Sequence, residues 1–317
     1  MNPPKKNSIV APFFNEELAV QHFYEAIKEI FNSLPNYVLE LVCVDDGSSD
    51  GTLSQLVLLA KQDARIQVIE FSRNFGKEAA LSAGIDFSTG DAVIPIDVDL
   101  QDPPGLIPEM ISLWERGAEV VLAKRVDRSS DTALKRVTAS LFYRFHNFLS
   151  SEVQLPENVG DFRLMDRLVV DALKRLPERR RFMKGLFAWV GFKTVSIDYV
   201  RASRTVGNSK FSGWKLWNFA LEGITSFSLI PLKVWTYIGM LGAIFAFFYA
   251  IFVIIKTLIF GIDLPGYASL LVVTLFFGSL QLISLGIIGE YIGRIYFESK
   301  GRPLYIVRNR IGGSKFD

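Results

Sequence analysis

The sequence predicts an α/β fold: a Rossmann-like, mostly parallel sheet with helices on both faces, followed by amphipathic interface helices and a two-helix transmembrane hairpin. Three observations carry this. Short apolar runs alternate with helical patterns through the first half. Acidic clusters follow directly on two of those runs. Two long uncharged stretches occupy the last third.

Taken in order, "SIVAPF" predicts a strand and Glu16 to Leu34 a helix. "LELVCVDD" is the next strand and Gly51 to Lys61 the next helix. "IQVIEFS" and "DAVIPIDVD" continue the strands, with the helical "KEAALSAGIDFS" between them. A helix over Pro108 to Arg116 leads to the strand "AEVVLAKR". Strands separated by single helices are βαβ units, which place parallel strands side by side. Ligands of such sheets sit at the carboxyl ends of the strands. "VDDGSSDGT" and "DVDLQD" both fall at strand carboxyl ends, so they converge on one crevice.

Val234 to Ile255 and Leu264 to Gly289 carry no charge. Each meets the requirement of roughly 20 residues for a membrane-crossing helix, with a pair of buried core helices as the alternative. The short connection "KTLIFGIDLPGY" makes them a hairpin, which puts both flanks on one side. Lys300, Arg302, Arg308, Arg310 and Lys315 follow the second stretch, whereas the connection has Lys256 against Asp263. The excess of positive charge on cytoplasmic flanks places the large domain and both termini in the cytoplasm of a multi-pass membrane protein. Two further stretches have interfacial patterns. Trp214, Trp217, Leu221 and Ile224 recur at helical spacing, as do Leu134, Val137, Leu141, Phe145 and Phe148 among basic residues. The expected organisation is a catalytic domain over 1–211 with an interface helix at 133–150, and an amphipathic helix at 212–230. A hairpin follows over 231–297, with spans near 232–258 and 266–291, and then a basic tail over 298–317.

Composition narrows the class. In 317 residues, hydrophobic side chains make up 50%. A mean hydropathy of +0.26 suits a soluble domain with a short membrane part. A net charge of +2 does not support a nucleic-acid partner. The single cysteine, Cys43, lies in a strand and excludes an intrachain disulfide. His22 and His146 sit in helical patterns without partner ligands, and Arg179 to Arg181 read as a solvated or lipid-facing turn.

The acidic clusters carry the chemistry. Asp97, Asp99 and Asp102 repel one another at a strand end, and a cation makes such a cluster tolerable. Hard divalent cations prefer oxygen ligands, which Asp97, Asp99 and the Gln101 amide supply. Asp102 precedes Pro103 and Pro104, where a helix cap is the alternative role. In "VDDGSSDGT", Gly47 and Gly51 permit unusual backbone angles, and Ser49 or Asp50 can start the helix. Glu17 reads as a first-turn helix charge.

The ordered set "SIVAPFFNEE", "VDDGSSDGT", "SRNFGKEAALSAGIDFSTGD" and "DVDLQDP" resembles the family 2 glycosyltransferases of the GT-A fold. "VLAKRVDRS", "LKRVTASLFYRFHN", "ENVGDFRLMDR", "MKGLFAWVGFKT", "WKLWNFALEGITSFS" and "GEYIGRIY" extend the resemblance to bacterial bactoprenol glucosyltransferases, relatives of dolichol-phosphate mannose synthase. It implies inverting transfer of glucose from UDP-glucose to undecaprenyl phosphate at the bacterial inner membrane, for modification of surface polysaccharide such as O-antigen. Mg2+ or Mn2+ would bridge the donor diphosphate through Asp97, Asp99 and Gln101 and stabilise the leaving charge. Pro12, Asn15, Glu16, Asp46, Asp97 and Asp99 would bind the donor, with Asp46 accepting a uracil N–H. Arg125, Arg136, Arg204, Ser209 and Lys210 would hold the acceptor phosphate. Asp161 is the implied catalytic carboxylate, as base or as orienting group, with Asp99 and Arg163 beside it. A homo-oligomer is also implied, and Gly239, Gly242 and Gly278 offer small residues for packing between spans. Three alternatives stay open: the same lipid acceptor with galactose, an aminosugar or amino-arabinose; a processive polysaccharide synthase, against which the absent Q-x-x-R-W motif speaks; and a flippase or scaffold.

Overall fold

The computed structural model describes residues 4–127, 156, 158–179, 181–200, 230–260 and 266–313. The strands are β1 (Lys5–Phe13), β2 (Tyr37–Asp45), β3 (Ile66–Phe71), β4 (Ala92–Pro95), β5 (Val120–Asp127), β6 (Val159–Asp166), β7 (Thr194–Val200) and β8 (Val307–Gly312). They form one sheet in the order β7-β5-β6-β4-β1-β2-β3-β8. Pairings β1 with β2, β1 with β4, β2 with β3 and β5 with β7 are parallel. Strand β6 runs antiparallel between β4 and β5, and β8 antiparallel to β3.

The central strands read as unbroken apolar runs because both faces are covered. Ile9 and Ala11 of β1 enter one core layer, with Phe23 and Ile27 of α1 (Val20–Asn32), Leu56 of α2 (Thr52–Gln62) and Met110 of α4 (Ile107–Glu115). Val10 enters the opposite layer, with Ala80 and Leu81 of α3 (Lys77–Phe87), Val169 of α5 (Arg167–Lys174) and Met183 of α6 (Met183–Trp189). Alternate side chains of one strand thus feed two cores. Cys43 is buried, and burial pushes its thiol far up from its ordinary range.

Boundaries differ from expectation where side chains intervene. The first helix begins at Val20 rather than Glu16, because Asn15 is left-handed at φ 52° and the Glu16 N–H donates to Thr52 Oγ1 at 2.9 Å. Strand β4 stops at Pro95, so Asp97 and Asp99 lie on the loop beyond it. The expected basic tail is corrected in part: Val307–Gly312 is the eighth strand of the sheet. Its charges are engaged by that packing. Arg308 and Asn309 both reach Glu70, at 3.3 and 2.7 Å.

Helices α7 (Ile230–Phe260) and α8 (Tyr267–Ser299) contain two segments long and apolar enough to cross a membrane, Val234–Phe260 and Val272–Ser299. None of either apolar window is buried, which removes the alternative of core helices among the described residues. A Cβ on Gly242 would lie 3.5 Å from the Phe277 ring, so the two helices approach there. Gly239 and Gly278 make no such approach, and nothing among the described residues supports the expected homo-oligomer. The return of β8 to β3 puts strands that precede α7 and a strand that follows α8 in one sheet, hence on one side of any membrane the two helices cross. Arg179 is not simply solvated, since its N–H donates to the Glu298 carboxylate at 3.1 Å. The expected interface helices at 133–150 and 212–230 lie outside the described residues, apart from Ile230.

Candidate active site

The carboxyl ends of β1, β2 and β4 open on one side of the sheet, and their loops build the site. Beyond β1, the Asn15 N–H donates to Ser48 Oγ at 3.0 Å, and Asn15 Oδ1 accepts from the Ser49 N–H at 2.8 Å. Its left-handed backbone is an uncommon choice that these two bonds stabilise. The β1 loop is thereby tied to the loop after β2. Pro12 is half-buried at the end of β1, next to this junction.

Asp45 and Asp46 are both buried, and burial raises both carboxyls from their ordinary range. Asp46 accepts the backbone N–H groups of Phe75 at 2.6 Å and Gly76 at 2.9 Å. It is thus a strut between the β2 loop and the start of α3, and each oxygen retains a further lone pair. Asp45 Oδ2 accepts from the Ser48 N–H at 3.2 Å, while Oδ1 is buried without a protein partner. Gly47 is left-handed at φ +69°, and a Cβ there would fall 2.6 Å from the Arg73 carbonyl carbon. Asp50 starts α2, its Oδ1 accepting from the Thr52 N–H at 3.0 Å. Glu17 serves this same helix start rather than its own, accepting the Gly51 N–H at 3.1 Å.

The loop after β4 brings the carboxylates in. Val98 turns into the core, while Asp97 and Asp99 on either side of it stay half-buried. Leu100 is left-handed at φ 52°, a strained backbone directly after Asp99. The Gln101 N–H donates to Asp99 Oδ1 at 3.2 Å. Asp102 is not the helix cap, since Pro103 holds that position without a side-chain bond. Instead Asp102 is buried and accepts from the Tyr199 hydroxyl, which also accepts from Arg125 Nε at 3.3 Å. Burial and the Asp102 charge push that phenol up to about 12.

The centre of the site is a lysine that sequence reasoning missed. Lys77, the first residue of α3, reaches Asp97 Oδ1 at 2.6 Å and Asp161 Oδ2 at 2.8 Å. Burial opposes the lysine charge, but Asp161 and Asp97 overcome it and hold the ammonium above its usual range. Burial likewise opposes ionisation of Asp161, and Lys77 with Lys184 overcomes it, holding that carboxyl below its usual range. Asp97 moves the other way, raised by burial and by the neighbouring Asp161. The second oxygen of Asp161 is buried without a partner. Glu78, next along α3, accepts the Met183 N–H at 2.9 Å, and burial with the Asp161 charge pushes it up to about 7. Nothing in the one-dimensional pattern separates Lys77 or Glu78 from ordinary charges at a helix start.

Arg163 is buried rather than open to the cleft. Its Nη2 donates to the Gly160 carbonyl at 2.7 Å, and its guanidinium lies 4.1 Å from the Phe187 ring centre. It is placed to brace the start of β6, the strand that carries Asp161. Arg136, Arg204, Ser209 and Lys210 lie outside the described residues.

For a divalent cation, the chain offers hard oxygen donors but an incomplete shell. Among the described residues no three His, Cys, Asp or Glu side chains gather as a metal group. The donor chemistry of Asp97, Asp99 and the Gln101 amide would suit a hard divalent cation, with its other positions left to a ligand and water.

Residues 8–174 match the model of glycosyl transferase family 2, which is more than half the chain. The chain belongs to this family. The glycosyltransferase is 57% identical over 304 residues to the bactoprenol glucosyl transferase of Shigella phage SfV, covering 96% of this chain and 98% of that protein. It is 55% identical over 303 residues to a prophage bactoprenol glucosyl transferase homolog of Escherichia coli K12, covering 96% and 98%. Among solved structures, glucosyl-3-phosphoglycerate synthase from Mycobacterium tuberculosis, in complex with Mn2+, UDP and phosphoglyceric acid, aligns with a TM-score of 0.48 at 20% identity. That alignment covers 69% of this chain and 76% of the other, a likeness too distant to speak for the chemistry here. The sheet of the glycosyltransferase is nonetheless the GT-A-like arrangement its sequence resembles.

Proposed function

We propose that this glycosyltransferase transfers glucose from UDP-glucose to bactoprenol (undecaprenyl) phosphate, with inversion, at the cytoplasmic face of the bacterial inner membrane. The observation that carries the reading is the convergence of Asp97, Lys77 and Asp161 at the carboxyl end of the sheet, in a chain that also holds two membrane-length helices. The near full-length identity to proteins named bactoprenol glucosyl transferase supports the sugar and the lipid.

Charge decides the division of labour. A bound Mg2+ or Mn2+ supplies positive charge to the departing diphosphate, and Asp97, Asp99 and Gln101 are the residues that would hold it. Pro12, Asn15, Glu16 and Asp46 line the nucleotide side, and Asp46 keeps lone pairs for the base. Arg125, Arg136, Arg204, Ser209 and Lys210 take the acceptor phosphate. A phosphate monoester has its second pKa near 6, so the acceptor is largely ionised at neutral pH. Asp161 is held ionised by Lys77 and Lys184, which makes it a weak proton acceptor. It therefore orients the reacting groups rather than acting as a base.

The test uses purified protein with undecaprenyl phosphate and labelled UDP-glucose, UDP-galactose or UDP-N-acetylglucosamine, with Mg2+ and then EDTA. Label entering the lipid from UDP-glucose alone, and lost with EDTA, is the expected result. Label from another sugar keeps the mechanism and changes the donor. No labelled lipid from any of the three overturns the assignment.

A further inference from the structure

Lys77 stands where a cation is disfavoured by its own helix. It is the first residue of α3, and the positive end of the helix dipole repels an ammonium there. Its position is set instead by two carboxylates, at 2.6 Å from Asp97 and 2.8 Å from Asp161. Those carboxylates, one from the loop after β4 and one from β6, would repel each other without it. The side chain is 44% exposed to the cleft, so its four-carbon stem has room to swing away.

We infer that Lys77 is a resident counter-ion that competes with the divalent cation for Asp97, so that cation and nucleotide diphosphate enter together. This rests on the proposed cation-dependent donor site. A cation on Asp97 would lie against the Lys77 ammonium, and the repulsion between like charges at that separation weakens the binding of one by the other. A diphosphate resolves the conflict from both sides. It completes the cation's oxygen shell and offers the displaced ammonium a new anionic partner. The cation without nucleotide meets an occupied carboxylate, whereas the pair is accepted. By linkage, each then strengthens the other's binding by the same factor.

The experiment measures Mn2+ binding to the full chain in detergent by electron paramagnetic resonance of the free ion, with and without UDP. In wild type, Mn2+ alone binds about tenfold or more weakly than Mn2+ with UDP. In Lys77→Met, Mn2+ alone binds about tenfold or more tightly than in wild type, and the mutual strengthening with UDP shrinks. Lys77→Gln gives a second neutral variant, and Lys77→Arg keeps the wild-type pattern. Unchanged or weaker binding of Mn2+ alone in folded Lys77→Met and Lys77→Gln, with the UDP-dependent site intact, overturns the inference and leaves the cation reading standing. Wild type that binds no Mn2+ even with UDP overturns both together. Equal affinity with and without UDP overturns the inference without any variant.

Discussion

Gly47→Ala is the sharpest test of how the donor-side loops are held. Two costs combine at this residue. The backbone is at φ +69°, where a side chain costs about 1–2 kcal/mol. The new Cβ would also sit 2.6 Å from the Arg73 carbonyl carbon and 2.7 Å from the Asn74 nitrogen, both backbone atoms. Overpacking of this kind costs about 1–3 kcal/mol. A sum of about 3 kcal/mol corresponds to a fall in Tm of roughly 6–12 °C for a domain of this size. The loop pushed aside is the one whose Phe75 and Gly76 N–H groups bind Asp46, so under the proposed donor site UDP affinity falls along with stability. Differential scanning fluorimetry and UDP titration in detergent read the two effects. Gly47→Asn tolerates the left-handed backbone but keeps the Cβ, so it separates strain from contact. A Tm within about 2 °C of wild type for Gly47→Ala, with unchanged UDP affinity, refutes the reasoning.

Three further outcomes are expected. Gly84→Ala places a Cβ 2.1 Å from Val10 Cγ1 and lifts α3 from β1, costing about 1–3 kcal/mol. Adding Val10→Ala restores part of that loss, and a strictly additive double variant would sink the explanation. Glu78 titrates near 7 when folded and near 4.5 as an ordinary glutamate, so the folded state binds more protons between those values. Its contribution to stability is complete below about 4.5 and lost as pH rises through about 7, and Glu78→Gln flattens that fall in a Tm-versus-pH series. Parallel curves for the two proteins contradict it. Tyr199→Phe removes the hydroxyl that joins Asp102 to Arg125 and lowers stability by about 1–3 kcal/mol, measured by the same melts.

What was legible in the sequence follows from burial. Strands β1 to β5 were readable because they are apolar runs or nearly so, set off by helical patterns of a different period. Strand β6 carries Asp161 and Arg163 on one face, which hides it among charged segments. Strand β7 is an edge, with Thr194, Ser196, Asp198 and Val200 exposed or half-exposed. Strand β8 was mistaken for a tail because "VRNRIG" is basic, and its partners Glu70 and Gln67 are more than two hundred residues away. In the site, Asp97 and Asp99 were legible because clustered aspartates are costly and ask for a reason. Lys77 was not, since one lysine opening a helix is ordinary until the fold brings Asp161 beside it. Asp102 reads in the sequence as one of the acidic cluster or as a helix cap, and its actual partner, Tyr199, comes from β7.

The return of β8 changes what the membrane segment is. A hairpin appended after a finished domain would anchor the enzyme and do nothing else. Here the chain leaves the domain, forms α7 and α8, and comes back to add the edge strand beside β3. On the way Tyr305 stacks on Phe71 with ring centres 5.1 Å apart and donates to Asp86 of α3 at 2.8 Å. Phe71 in turn packs edge-on against Phe75, whose N–H holds Asp46. The segment that exits the hairpin therefore buttresses both α3, which carries Lys77, and the loop that holds Asp46. The two apolar helices and the proposed donor site are joined through one aromatic stack. Cutting the chain before the two apolar helices would therefore strip an edge strand from the sheet as well.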